Sequence, residues 1–303
     1  MEELLKKEME CHASDNFEEY EECIAELNEM IKEILTSKFG YKGRSCDSRE
    51  FRDKKLGIFL YKTLTGVGLN LDDIKDIILD CDNRRNVMGI ETKGGKKIWV
   101  KSSGTHGSIS VDEILYTKEV DSIGKIIGED VPIVINDDVK NRIIALSDIR
   151  GKPVYEDGYW ERFSPTELAT NILFEIILMD ADRVRDNVIR EDGIIKELDF
   201  GAITNVDTLE EWRQMKTSNQ VVKGFFRWMD SVIKGEKISK RGELYLKNFI
   251  QAMREKMNEY RENEDLIRLS APYIYRHHKE RVDNILKELS EYLDKIEERI
   301  KGE

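Results

Sequence analysis

Residues 182–201 read Asp182-Arg183-Val184-Arg185-Asp186-Asn187, then Val188-Ile189-Arg190-Glu191-Asp192-Gly193-Ile194-Ile195-Lys196-Glu197-Leu198, then Asp199-Phe200-Gly201. Asp192-Gly193 lies between two runs rich in β-branched residues. That is a strong hairpin signal, because a type I′ turn needs positive φ at both central residues. If Glu191 and Ile194 flank the turn, Arg190 faces Ile195, Val188 faces Glu197 and Asn187 faces Leu198. Asn187 and Asp199 then meet at the open end of the hairpin, where both can offer oxygen to one hard cation such as the Mg²⁺ of a nucleotide. Asp182, in the loop before Asn187, is placed to accept a proton from an incoming hydroxyl.

The order Asp182, Asn187, Asp199-Phe200-Gly201 resembles the catalytic and metal-binding loops of the protein-kinase-like superfamily. Asp-Arg-x-x-x-Asn followed by a hairpin into Asp-Phe-Gly is more similar to the HipA-like and phosphoinositide-3/4-kinase branches than to the eukaryotic protein kinases. The likeness is specific over residues 165–203. It implies a two-lobed α+β fold, with a small antiparallel-sheet lobe and a mostly helical large lobe. It also implies ATP and Mg²⁺ as cofactors. Asp182 would orient the acceptor hydroxyl, Arg183 would steady the loop or the transferring phosphate, and Asn187 and Asp199 would hold the metal. The sequence departs from the pattern at Val184, where the related motif has His. No Ala-Pro-Glu follows Asp-Phe-Gly, and no run of glycines stands near residues 80–86.

A lysine on a small-lobe strand, braced by a glutamate on the next helix, holds the α/β-phosphates in such folds. Asn86 onward has strand character, turns at Gly94-Gly95 and returns through Lys96-Lys97-Ile98-Trp99-Val100-Lys101. Lys101 therefore has the address of the phosphate lysine. Ser110 with Glu113 three residues later forms a capping box that opens a helix to about Ile127. Glu113 and Glu119 both lie on it, and Glu113 is the preferred partner of Lys101. Val131–Ile135 and Arg142–Ile149 read as two more strands of a small antiparallel sheet. Leu146, Ser147, Asp148 and Ile149 occupy the position of the adenine-contacting crossover. Ser102–Ser108, with its small residues and His106, reads as a linker.

Upstream, Ile24, Leu27, Ile31 and Leu35 trace one face of a helix within an acidic segment. Residues 48–81 read as two helical segments separated by Gly66-Val67-Gly68. Downstream, Ser164-Pro165-Thr166-Glu167 starts a helix that is apolar nearly all round, as a buried helix is. It would deliver Asp180 and Asp182 on a rigid support. Trp212, Phe225, Phe226, Trp228 and Met229 read as core residues, and Leu244 to about Glu262 as one amphipathic helix. From Val282 onward, Ile285, Leu286, Leu289, Leu293, Ile296 and Ile300 form a seam, either packed on the same domain or used for self-association. His277-His278, among Arg276, Lys279 and Arg281, reads as a solvated basic patch. The expected domains are an N-terminal helical extension (1–45), a nucleotide-binding lobe (46–149) and a helical lobe with the catalytic loop (150–303).

With 303 residues, 40% hydrophobic and 36% charged, the chain can bury a substantial core. Sparse Gln and abundant Ile, Lys and Glu suggest a thermophilic source. A net charge of −12 argues against nucleic acid as a partner. Cys11, Cys23, Cys46 and Cys81 show no metal-ligand spacing and read as reduced thiols of a cytoplasmic protein. No apolar run is long enough to cross a membrane, and the start lacks the apolar core of a signal peptide. The functional expectation is a kinase whose acceptor is a hydroxyl, preferably of protein Ser or Thr, with a small molecule or lipid as the alternative. A nucleotide-binding pseudokinase and a helical interaction protein are the rival readings.

Overall fold

The stripe at Ile24, Leu27, Ile31 and Leu35 is buried in the computed structural model, on one face of α2 (Phe17–Phe39). The structure describes residues 2–14, 16–39, 56–80, 86–102, 110–129, 131–148, 152–153, 159–178, 188–191, 194–197, 206–214 and 220–302. The fold is mixed α+β and mostly helical, with one five-stranded antiparallel sheet. It divides into two compact units, Met1–Ile114 with Ile133–Asp148, and Leu115–Pro132 with Ile149–Glu303.

In the first unit, α1 (Glu2–His12) and α2 form a helical hairpin, and α3 (Leu56–Gly66) packs on α2. Leu4, Leu27, Ile31, Phe59, Leu60 and Leu64 share one core with Ile90, Ile98 and Val100 of the sheet. The N-terminal helices are thus part of the same apolar core as the strands. Cys11 and Cys23 form a disulfide across the hairpin, with Cα atoms 5.3 Å apart. This corrects the reading of these two residues as free thiols: each sits on a helix of the antiparallel pair, and packing brings them together. Cys46 and Cys81 lie outside the described residues.

The sheet comprises β1 (Ile74–Asp80), β2 (Asn86–Thr92), β3 (Lys97–Ser102), β4 (Val134–Asp138) and β5 (Ile143–Ser147), in the order β1-β2-β3-β5-β4. The strand at Ile74–Asp80 corrects the expectation of a second helix there. Asn70 and Asp73 do form a capping box, but it holds only a 3-10 turn at Leu71–Asp73. The chain then extends, because β2 offers an antiparallel ladder from Ile74↔Thr92 to Asp80↔Val87, with one bulge between Ile74 and Asp76. The β2–β3 hairpin forms as expected, and its turn uses Gly95 at φ +77°. Opposite Trp99, Gly89 leaves room for the indole: a Cβ there would lie 2.8 Å from the ring.

The helix α4 (Val111–Ile127) starts where Ser110 predicted it, and Ser110 Oγ accepts the Glu113 N–H at 2.9 Å. From Leu115 onward it belongs to the second unit. There Tyr116, Val120, Ile123 and Ile127 join a core built on α5 (Pro165–Leu178). The α5 start has both halves of its capping box: Ser164 N–H donates to Glu167 (2.7 Å), and Glu167 N–H donates to Ser164 Oγ (3.2 Å). Every residue from Leu168 to Leu178 is buried, as the all-round apolar pattern required.

The same core takes in residues of α6 (Leu209–Gln214), α7 (Gln220–Ile233), α8 (Lys240–Glu262), α9 (Glu264–Ser270) and α10 (Pro272–Lys301), with α8 and α10 packed on α5. The seam from Val282 to Ile300 is buried within this core, which settles its use in favour of intramolecular packing. Trp212, Phe225, Phe226 and Met229 are buried there too, and Trp228 packs against them. Among the described residues, no helix is long and apolar enough to cross a membrane.

Candidate functional site

The hairpin that opened the sequence argument is present in its expected register. β7 (Val188–Glu191) and β8 (Ile194–Glu197) pair as Val188↔Glu197, Ile189↔Lys196, Arg190↔Ile195 and Glu191↔Ile194. A third short strand, β6 (Lys152–Pro153), pairs with β7 through Lys152↔Arg190 and Pro153↔Ile189. Proline is tolerated there because β6 is an edge strand that needs no donor on its free side. Asp182, Arg183, Asn187, Asp199 and Ile149 lie outside the described residues, as do the turn residues 192–193. The described strands therefore frame that segment without including its functional side chains. Among the described residues, no cluster of three or more His, Cys, Asp or Glu could hold a metal ion.

Lys101 stands on β3, half-buried, between Val87 of β2 and Ile144 of β5. Central strands fix a backbone from both sides, so the lysine stem starts from a rigid point. Leu146 is buried on β5 opposite Trp99 and Val134. Ser147 N–H donates to Ile133 O (2.9 Å), while Ser147 Oγ accepts Ile133 N–H (2.8 Å). Asp148 N–H reaches Lys97 O at 3.3 Å, and its carboxylate accepts the Trp99 indole N–H at 2.7 Å. The N–H groups of Ser147 and Asp148 are thus engaged within the sheet.

Glu113 and Glu119, equivalent by spacing, have different surroundings. Glu113 lies in the first turn of α4 and is half-buried. Both oxygens of Glu119 accept backbone N–H groups at the start of α10, from Tyr273 (2.9 Å) and Ile274 (2.7 Å). Pro272 at the first position of α10 has no N–H, and Tyr275 N–H is satisfied by Ala271 O at 2.9 Å. Ala271, in the N-cap position, supplies no side-chain cap. Glu119 therefore serves as a remote cap of the last helix.

Two residues that the sequence argument did not assign hold the C-terminal end of α5, immediately before the segment carrying Asp182. Tyr116 of α4 donates its hydroxyl to Leu178 O at 2.5 Å. His278 of α10 places Nδ1 3.2 Å from Ile177 O. A carbonyl can only accept, so Nδ1 carries the proton and Nε2 is the bare nitrogen. Nε2 has no partner among the described residues. Burial lowers the His278 pKa, with repulsion from Arg281 and His277 added, while the Ile177 carbonyl opposes the shift.

This corrects the reading of His277-His278 as one solvated patch: His277 is exposed, whereas His278 is 1% exposed. The signal was available in the spacing. Ile274, His278 and Val282 recur every four residues, extending the buried seam of α10 backward through the histidine.

No protein-family model matches the chain, and no curated protein matches it. A solved structure of an apo pseudokinase resembles it with a TM-score of 0.37 at 12% sequence identity, covering 77% of this chain and 94% of that one. So distant a likeness assigns neither family nor activity.

Proposed function

We propose that the chain is an ATP- and Mg²⁺-dependent phosphotransferase of kinase-like fold that passes the γ-phosphoryl group to a hydroxyl. The register of the β7–β8 hairpin carries this reading. Val188 and Glu197 pair at its open end, so the segments that contribute Asn187 and Asp199 reach the hairpin at that same end. That supports a shared metal role, since Mg²⁺ takes one or two protein oxygens and completes its shell with phosphate and water. Lys101 would neutralise the α/β-phosphates, with Glu113 as its brace now that Glu119 has a cap to serve. Asp182 would orient the acceptor and Arg183 would balance developing charge. Phosphoryl transfer depends mainly on positioning and charge compensation, so this set is chemically sufficient. With the Ser147 and Asp148 N–H groups engaged in the sheet, the adenine would meet the remaining backbone groups of Leu146–Ile149, and the acceptor is assigned to protein Ser or Thr ahead of a small alcohol or lipid.

Val184 and the lack of a glycine run near residues 80–86 favour a second reading, a nucleotide-binding pseudokinase that regulates or scaffolds. One experiment separates the two. Radiolabel transfer from [γ-³²P]ATP, to the chain itself and to Ser/Thr peptides, is measured for wild type and Asp182→Ala. The kinase reading expects transfer in the wild type and its loss in Asp182→Ala, with nucleotide binding retained. Binding without transfer in the wild type would establish the pseudokinase, and transfer that survives Asp182→Ala would remove that residue from its role.

A further inference from the structure

A cleft of about 480 Å³ opens in the second unit, lined chiefly by Arg213, Trp212, Lys223, Phe226, Arg227 and Asp230. Lys223 and Arg227 lie four residues apart on α7, so both project from one helix face into it. Elsewhere the helices of this acidic chain commonly pair their cations one turn away, as in Lys125–Asp121, Lys247–Glu243 and Lys301–Glu297. On α7 that arrangement is missing. Among the described residues, no carboxylate pairs with Lys223 or Arg227.

The one carboxylate on that face of α7, Asp230, is already committed. It accepts hydrogen bonds from the Arg213 guanidinium and from the Tyr292 hydroxyl. Arg213 is itself fixed, with its guanidinium 4.8 Å from the Phe226 ring centre and 5.0 Å from that of Tyr292. Its second carboxylate, Glu210, is mostly exposed at 3.6 Å. The Arg213 Nε–H is buried and has no acceptor among the described residues. Two like charges side by side repel, and Lys223, the less exposed of the two, carries a burial penalty as well: its pKa is lowered by desolvation and then by Arg227. The two carboxylates that line the cleft, Glu210 and Asp230, both turn to Arg213, and neither pairs with Lys223 or Arg227.

We propose that this cleft binds a phosphate group, free or carried as an ester, with Lys223 and Arg227 contacting its oxygens and Arg213 presenting a preorganised guanidinium behind them. Guanidinium forks match the tetrahedral oxygens of phosphate, and an ammonium adds a mobile point charge. The apolar walls, Trp212, Val222 and Phe226, limit screening by solvent and give an ester's organic portion a surface to rest on. The site lies within one unit and is independent of the phosphotransfer reading.

The test is calorimetric titration of the full chain with inorganic phosphate and with O-phosphoserine, at ionic strength matched with chloride. Wild type, Lys223→Met, Arg227→Met and Lys101→Met are compared. The expected result is saturable binding in the wild type, weakened about tenfold by each α7 substitution, since one partly exposed charge-assisted hydrogen bond contributes about that factor. Tighter binding of phosphoserine would identify an ester as the ligand; tighter binding of inorganic phosphate would identify the free ion. The proposal is overturned if the wild type shows no saturable binding, if Lys223→Met and Arg227→Met bind like wild type, or if Lys101→Met alone removes the signal. Melting curves without phosphate confirm that the α7 variants are folded.

Discussion

Replacing Glu119 by Ala removes the side-chain cap that, among the described residues, holds the first turn of α10, a helix of 30 residues. Two backbone N–H groups lose a charged acceptor. Hydrogen bonds to charged groups contribute about 1.5–3 kcal/mol each, a figure that partial exposure of Glu119 reduces to about 1 kcal/mol each. The favourable carboxylate–dipole interaction adds about 0.5 kcal/mol. Glu119→Ala should therefore lower the unfolding free energy by about 2–3 kcal/mol. Glu119→Gln keeps a neutral acceptor and should lose about 1 kcal/mol. Urea denaturation followed by circular dichroism measures both. Nucleotide affinity, measured under conditions where each variant is folded, should not change. A Glu119→Ala protein within about 0.5 kcal/mol of wild type would refute the capping role. Unchanged stability with loss of Mg·ATP binding would instead make Glu119 the brace of Lys101.

His278 ties stability to pH. Its folded pKa is lowered by burial, so the folded chain binds a proton less readily than the unfolded chain, where the value is the ordinary 6.5. Its contribution is complete above that value and is lost as pH falls from 6.5 toward the folded pKa. His278→Phe should flatten the acid limb of a melting-temperature profile in that window; an unchanged limb would show that other groups set it. The Cys11–Cys23 disulfide closes a separation of 12 residues, for which chain entropy gives about 3 kcal/mol. Reductant should destabilise wild type by about 2–3 kcal/mol and leave Cys11→Ser unaffected. Equal sensitivity of the two would mean that this bond is not the cause.

Local rules made much of the fold readable. The Asp192-Gly193 signal predicted the β7–β8 register, and Glu191 does pair with Ile194. Ser164 and Glu167 gave the α5 start because their side chains satisfy backbone groups within one turn. The α10 seam followed from its spacing. Readings failed where a distant partner decides. The apolar positions Leu71, Ile74, Ile77 and Ile78 fit a helix as well as a strand, and only the ladder with β2 selects the strand. Pairing of Cys11 with Cys23 depends on the α1–α2 hairpin. Lys152–Pro153 is too short for any periodicity to mark it, and its identity as a strand comes wholly from β7. Lys101 lies on the expected strand, and the helix starts at Ser110 as the pattern put it. Glu119 could be told from Glu113 only once α10 was in place, and Tyr116 acts through a carbonyl that sequence does not reveal.

The most direct test of the central claim is the melting temperature of the full chain with ATP, with and without Mg²⁺, in wild type and Asp199→Ala. Stabilisation by ATP that requires Mg²⁺ in wild type, and disappears in Asp199→Ala, is the expected result. No Mg²⁺-dependent stabilisation in wild type, or an undiminished one in Asp199→Ala, would contradict it.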